Sequence, residues 1–322
     1  MILVTGGAGY IGSHAVKALK AAGFAPVIFD NLTTGHRSFA QGTPMVEGDV
    51  RSDSDLKRAF SEYPIEGVLH FAGKALIAES HANPGLYYAI NMIGGMRLLA
   101  AMREHGVKSL IFSSTCATYG VPEKTPIRED AAQQPINPYG ESKLAFEKAL
   151  RWSAAADGFE YLSLRYFNAA GADPDGEFGE DHDPETHLIP LVLDVAAGRR
   201  SHVDILGTDY PTPDGTCLRD YIHVTDLADA HVRGLRALMD GKIKSQALNL
   251  GTGQGYSVRE VIDTVRKVTG RNVVARETAR RPGDPPILVA AADKARETLG
   301  WKPVHSSLEE IVSTAWKWHQ GK

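Results

Sequence analysis

Tyr139 and Lys143 lie four residues apart directly after Pro138, a spacing that opens a helix and puts a phenol and an ammonium on one face. A phenol with an ordinary pKa of about 10 is a poor base at neutral pH, and a cation beside it favours the phenolate. The pair therefore predicts proton transfer by Tyr139 with Lys143 as electrostatic partner, in hydride chemistry where an oxidised nicotinamide adds further positive charge. Upstream, Leu110-Ile111-Phe112 runs into Ser113, Ser114 and Thr115, placing hydroxyls at the carboxyl end of a strand, where open α/β sheets hold ligands. A hydroxyl there assists acid–base chemistry. No Gly-x-Ser-x-Gly elbow surrounds these serines, so a hydrolase triad has little support.

Gly6, Gly9 and Gly12 follow the first strand-like run at a Gly-x-x-Gly-x-x-Gly spacing, which suits a tight turn, close approach of backbone amides to a pyrophosphate and packing of the next helix on the sheet. The second strand ends at Asp30, 18 positions beyond Gly12, where a carboxylate can accept from both adenine-ribose hydroxyls. Asp30 would repel a 2′-phosphate, which favours NAD over NADP, although Arg37 lies close in sequence. Asp49 is placed to reach the adenine amino group, or else to serve as a turn residue.

These groups need a frame that brings strand ends together. Apolar runs at 2–5, 26–29, 44–47, 67–71, 109–113 and 161–165 alternate with helical stretches at about 10–22, 54–62, 85–105 and 139–156. That alternation predicts an α/β fold: a doubly wound, parallel-sheet Rossmann domain over 1–168 with a smaller α/β substrate-binding lobe over 169–322, the boundary being soft and open to the chain crossing back. Stretches 169–184 and 207–215, rich in Gly, Pro and acidic residues, read as loops.

The 322 residues, 43% of them hydrophobic, suffice for a core without staples. A net charge of -4 with dispersed Lys and Arg argues against nucleic acid and acidic lipid, and no apolar run is long enough to span a membrane. Cys116 and Cys217 lack partners at ligand spacing, and His14, His70 and His223 lack i, i+4 partners, so neither disulfide nor metal is expected. A cytoplasmic protein acting on a small molecule fits best.

Taken together, Gly6-x-x-Gly9-x-x-Gly12, Asp30, Asn91, Ser113-Ser114-Thr115 and Tyr139-x-x-x-Lys143 resemble the extended short-chain dehydrogenase/reductase superfamily. More narrowly, Val4-Thr5-Gly6-Gly7-Ala8-Gly9-Tyr10-Ile11-Gly12, Phe29-Asp30-Asn31-Leu32, His70-Phe71-Ala72-Gly73 and Leu164-Arg165-Tyr166-Phe167-Asn168 look like the UDP-glucose 4-epimerases. So do Arg219-Asp220-Tyr221-Ile222-His223-Val224 and Arg280-Arg281-Pro282-Gly283-Asp284, and the likeness runs from residue 2 to Trp316 and Trp318.

The resemblance implies that Tyr139 takes the sugar 4-hydroxyl proton while hydride leaves C4 for a tightly bound NAD. Lys143 would hold the nicotinamide ribose and lower the tyrosine pKa, Thr115 would bond the same oxygen, and the 4-keto sugar would turn and take hydride on its other face. It also implies a cofactor lining of Gly6, Gly9, Tyr10, Ile11, Gly12, Asp30, Asn31, Asp49, Val50, Phe71, Ala72, Gly73, Lys74, Asn91, Ser113, Tyr139, Lys143 and Phe167. The UDP-sugar would meet Thr115, Tyr139, Asn168, Leu188, Arg219, Arg281 and Asp284. Leu288, where restricted members carry a bulky Tyr, leaves room for a 2-acetamido group. Ala75 and Ile90 depart from the usual Lys and Asn, with Lys74 a possible substitute. The implied reaction is UDP-galactose to UDP-glucose. UDP-pentose or UDP-N-acetylhexosamine 4-epimerisation, a dehydratase or decarboxylase, and a non-catalytic NAD-binding regulator are the alternatives. A homodimer through the helices around 86–105 and 139–156 is also implied.

Overall fold

A computed structural model describes residues 1–281 and 284–321, so Pro282 and Gly283 of the Arg-Arg-Pro-Gly-Asp string lie outside the described residues. Short apolar runs, buried on both faces except at the Met45–Glu47 edge, form parallel strands. They are β1 (Ile2–Thr5), β2 (Pro26–Asp30), β3 (Met45–Glu47), β4 (Gly67–His70), β5 (Ser109–Thr115) and β6 (Glu160–Tyr166). Beyond them come β7 (Asn168–Ala170), β8 (Val203–Leu206), β9 (Leu218–Arg219), β10 (Tyr221–His223), β11 (Gln246–Leu250), β12 (Tyr256–Ser257), β13 (Ala275–Thr278) and β14 (Ile287–Leu288). One all-parallel sheet has the order β11-β6-β5-β4-β1-β2-β3, which is doubly wound, with its switch between β1 and β4. A ligand crevice is expected at that switch, outside the carboxyl ends of the strands.

Helices α1 (Tyr10–Ala21), α2 (Asp53–Glu62), α3 (Ile77–Ala82), α4 (Pro84–Tyr87), α5 (Gly95–Glu104) and α6 (Pro138–Asp157) belong to the first half. The second half adds α7 (Leu188–Ala196), α8 (Val224–Met239), α9 (Val258–Thr269), α10 (Asp293–Leu299) and α11 (Leu308–Gln320). The start of α6 is written locally: Asn137 accepts from Gly140 N–H at 2.8 Å, Pro138 occupies the first turn, and Gly158 closes the far end in a left-handed conformation.

The expected helix at 85–105 is instead α4, a π-helical stretch Tyr88–Gly94, and α5. A π turn widens the helix, a distortion that recurs at functional sites, and here it carries Asn91, which is fully buried. Residues 168–170, read partly as loop, form β7 and pair in parallel with β10. The remaining strands pair as β8 with β13 and as β12-β9-β14, beside a core built from α7, α9 and α11. The chain also returns to the first half, since β11 extends the large sheet beside β6 and α8 packs with α1 across that sheet's core.

Candidate active site

Gly6 sits at φ +72°, and a Cβ there would lie 2.6 Å from Ala72 N, so the ends of β1 and β4 close tightly at the switch. A Cβ on Gly12 would lie 2.1 Å from Gly6 O, so only glycine lets α1 start flush on the turn. Among the described residues no side chain caps α1. Its first amides, around Tyr10 and Ile11, therefore face the crevice as an anion-binding terminus. The Tyr10 phenol points elsewhere and donates to Gly171 O at 2.6 Å.

Asp30 accepts from Ala8 N–H at 3.0 Å and Leu32 N–H at 2.8 Å, which fixes its carboxylate while leaving lone pairs for a diol. Burial raises its pKa and the backbone donors oppose that rise. Arg37 is drawn away to Glu47, so the one cation that argued for a 2′-phosphate is engaged. Asn31 donates to Asp49 Oδ2 at 3.0 Å, and the Arg51 guanidinium holds the Asp49 carboxyl well below its usual range. Val50 and Phe167 are buried, and Phe71 packs on His231 with ring centroids 4.7 Å apart. These groups fit a dinucleotide: a bare helix terminus for the pyrophosphate and an immobilised carboxylate for the ribose.

The three hydroxyls at the end of β5 diverge. Ser113 bonds the Tyr166 hydroxyl and Ser114 donates to Glu147, whereas Thr115 lies close enough to the Tyr139 phenol to favour its ionised form. Thr115 is fixed in turn because its Oγ1 accepts from Ala117 N–H at 3.1 Å, capping a short 3-10 turn. Lys143, only 4% exposed, donates to Ser113 O at 3.1 Å and lies 5.0 Å over the Phe112 ring. A Cβ at Gly73 would come within 3.1 Å of Lys143 Nζ and 2.9 Å of Asn91 Oδ1, so glycine lets the β4 end reach this centre. Asn91 binds Lys74 at both N–H and C=O and donates to Ser142 Oγ at 2.9 Å, tying the loop to α6. The Lys74 ammonium, which the sequence offered in place of the lysine missing at Ala75, is paired with Glu79 at 3.0 Å.

Burial pushes the Tyr139 phenol up to about 12, and the neighbouring Thr115 hydroxyl opposes that rise. Burial also brings Lys143 down to about 8, with Glu147 opposing. Desolvation outweighs the helical proximity of the two groups.

On the other side of the crevice, Asp284 receives both Nε and Nη2 of Arg281, at 3.0 and 2.8 Å, and stands 3.8 Å from Arg219. Two guanidinium groups converging on one carboxylate leave net positive charge and spare planar donors, which suit a diphosphate. Leu288 lies opposite Arg219 in the β14–β9 pairing. Asn168 N–H donates to Asp220 O at 3.0 Å, and Leu188 opens α7 while packing on the α7/α9/α11 core.

The profile of the NAD dependent epimerase/dehydratase family matches residues 2–251. The chain belongs to this family. The UDP-glucose 4-epimerase of Lacticaseibacillus casei is 50% identical over 320 residues, covering 99% of this chain and 96% of that protein. The crystal structure of UDP-glucose 4-epimerase from Brucella ovis in complex with NAD superimposes with a TM-score of 0.95 at 50% identity, covering 98% and 97% of the two chains. That of the Bifidobacterium longum enzyme in complex with NAD+ and UDP gives 0.93 at 39% identity, covering 99% and 98%.

Within this epimerase/dehydratase frame, sequence reasoning missed the layer that supports the centre. Glu147 receives Arg165 in a bidentate pair, with Nη2 at 2.6 Å and both side chains 7% exposed. Arg165 also donates to the Tyr119 hydroxyl at 2.9 Å, and Tyr119 to Asn249 at 2.7 Å. A periodicity signal was available, since Tyr139, Lys143 and Glu147 recur every four residues along α6. Tyr166 and Ser142 gave none, because their roles depend on strand and helix pairing distant in sequence.

Proposed function

We propose that the chain inverts the C4 hydroxyl of a UDP-sugar, interconverting UDP-galactose and UDP-glucose through a 4-keto sugar, and acts in galactose metabolism. The supporting observation is the gathering of Thr115 at the end of β5, Tyr139 at the start of α6 and buried Lys143 bonded to Ser113 O, in a chain half identical to UDP-glucose 4-epimerases. NAD, when bound, takes the C4 hydride and returns it, so it is not consumed.

Asp30 binds the adenine ribose, Asp49 and Asn31 meet the adenine side, and the amides of Tyr10 and Ile11 hold the pyrophosphate. Tyr139 removes the 4-hydroxyl proton and gives it back, while Thr115 orients that oxygen. A phenol raised to about 12 needs positive charge nearby to act as a base, and the Lys143 ammonium, kept below a pH of about 8, supplies part of it. Arg219 and Arg281 hold the diphosphate and leave the sugar free to turn. Incubating the purified protein with UDP-galactose and no added NAD should produce UDP-glucose. Failure to convert, with cofactor visible in the absorption spectrum, would overturn this reading.

Leu288 favours a second reading, in which 2-acetamido sugars are also accepted. A panel of UDP-galactose, UDP-N-acetylgalactosamine and UDP-xylose decides it by relative rate. We assign the nucleotide half to 1–168 and the sugar half to 169–322, with α8 and β11 returning to the former. We further propose a homodimer. Its support is the set of apolar side chains left exposed on or beside α5 and α6: Ile93 at 49%, Met96 at 36% and Trp152 at 69%. No described helix is long and apolar enough to cross a membrane, and the two buried free cysteines suit the reducing cytoplasm where we place the protein.

A further inference from the structure

The segment leading into α7 carries Glu180, His182, Glu185 and His187, and one ligand atom from each lies within 4.8 Å of all the others. His182 Nδ1 stands 3.3 Å from Glu180 Oε1 and 3.8 Å from Glu185 Oε2, and His187 Nδ1 lies 3.7 Å from Glu185 Oε1. Donors held about 2.0–2.1 Å from a tetrahedral ion are separated by roughly 3.3 Å, so these edges are close to the size that coordination requires. The fourth contact, between Glu180 and His187, is a closed hydrogen bond that an entering ion would open.

His182 Nδ1 is buried with no hydrogen-bond partner among the described residues, and Glu180 is 7% exposed. Two carboxylates brought this close and largely withdrawn from water require a cation between them. The two imidazoles contribute to it when they carry protons. A dication can take their place, releasing those protons and leaving neutral nitrogen ligands and a balanced charge.

We propose that Glu180, His182, Glu185 and His187 form a binding site for one divalent cation of the zinc class, which clamps the segment ahead of α7 against α1. Two nitrogens and two carboxylate oxygens suit Zn2+ or Co2+, whereas Mg2+ and Ca2+ prefer all-oxygen shells. The contact with α1 is already made, because the His182 ring meets the Tyr10 ring edge-on at 6.3 Å. The ion is structural, lying outside the hydride chemistry.

Cobalt(II) titrated into the chelator-treated, NAD-bound protein tests this through visible absorption. One equivalent should give the intense d–d bands of a tetrahedral ion, zinc should displace it, and excess Mg2+ should not. His182→Gln or His187→Gln should each weaken cobalt binding by at least about tenfold. The double variant should lose the bands while keeping its circular dichroism spectrum and its bound NAD. If the double variant does not fold, Glu185→Gln is read in the same way. Absence of tetrahedral bands in the unaltered protein, or their survival in these variants, means that the four residues are only ion pairs and overturns the proposal.

Discussion

Lys143→Met exposes the conflict between stability and function at the centre of the site. Lys143 is 4% exposed, and burial lowers its pKa from 10.5 to about 8. A shift of that size corresponds to about 3 kcal/mol of destabilisation while the lysine is protonated in both folded and unfolded chains, which is the case below the folded value. Methionine fills a similar volume without charge and removes this penalty. It also deprives Ser113 O of its donor at 3.1 Å, which costs about 1–3 kcal/mol. The net change at pH 7 is therefore small, and the informative quantity is its pH dependence.

Between pH 8 and 10.5 the folded lysine is neutral and the unfolded one still charged, so the penalty fades as pH rises. From pH 7 to pH 10 the unaltered protein should gain about 2–3 kcal/mol relative to Lys143→Met. Urea unfolding of both cofactor-free proteins at several pH values gives the difference directly. A difference that stays constant across this range would show that Lys143 is not held as a destabilised cation. Turnover should follow the opposite course, falling as pH rises above about 8 because the ammonium that supports the Tyr139 phenolate is lost.

Tyr139→Phe removes the proton carrier and leaves the ring's packing against Tyr87, so turnover should fall by roughly 10²–10⁴ while bound NAD is retained. Near-normal epimerisation by that variant, read in a coupled assay, refutes the assignment. Glu147→Gln leaves the buried Arg165 guanidinium without its charge partner and should cost about 3–5 kcal/mol, read as a drop in melting temperature. A loss below about 1 kcal/mol would mean that water reaches the pair.

What the sequence made legible is what depends on short spacing. Tyr139 and Lys143 share a face because a helix turns every 3.6 residues, and Gly6, Gly9 and Gly12 mark a turn in which Gly6 and Gly12 leave no room for a Cβ. Asp30 was visible because it ends the next strand of a repeating unit. Three features were not. The π-helical stretch at 88–94 has ordinary helical composition, and its register follows from Asn91 bonding both Lys74 and Ser142. The pKa of Tyr139 depends on how much protein covers it, which no spacing reports. The cluster at 180–187 lacks i, i+4 histidines, and the more conspicuous His14, His70 and His223 are each held by other groups. The first is held by Tyr10 O and the second by Thr5 Oγ1, while the third bonds Thr314.

The place of β11 also bears on how the chain is made. A nascent chain ending soon after Asn168 has β6 as an uncovered edge, with the outward N–H and C=O groups along Leu162–Tyr166 lacking a neighbouring strand. Such an edge templates aggregation until it is covered. Its cover, residues 246–250, arrives some eighty residues later, after about half of the second half has been made. The two halves are thus coupled during synthesis as well as in function, and a fragment cut at 168 would lack the strand that protects its own sheet.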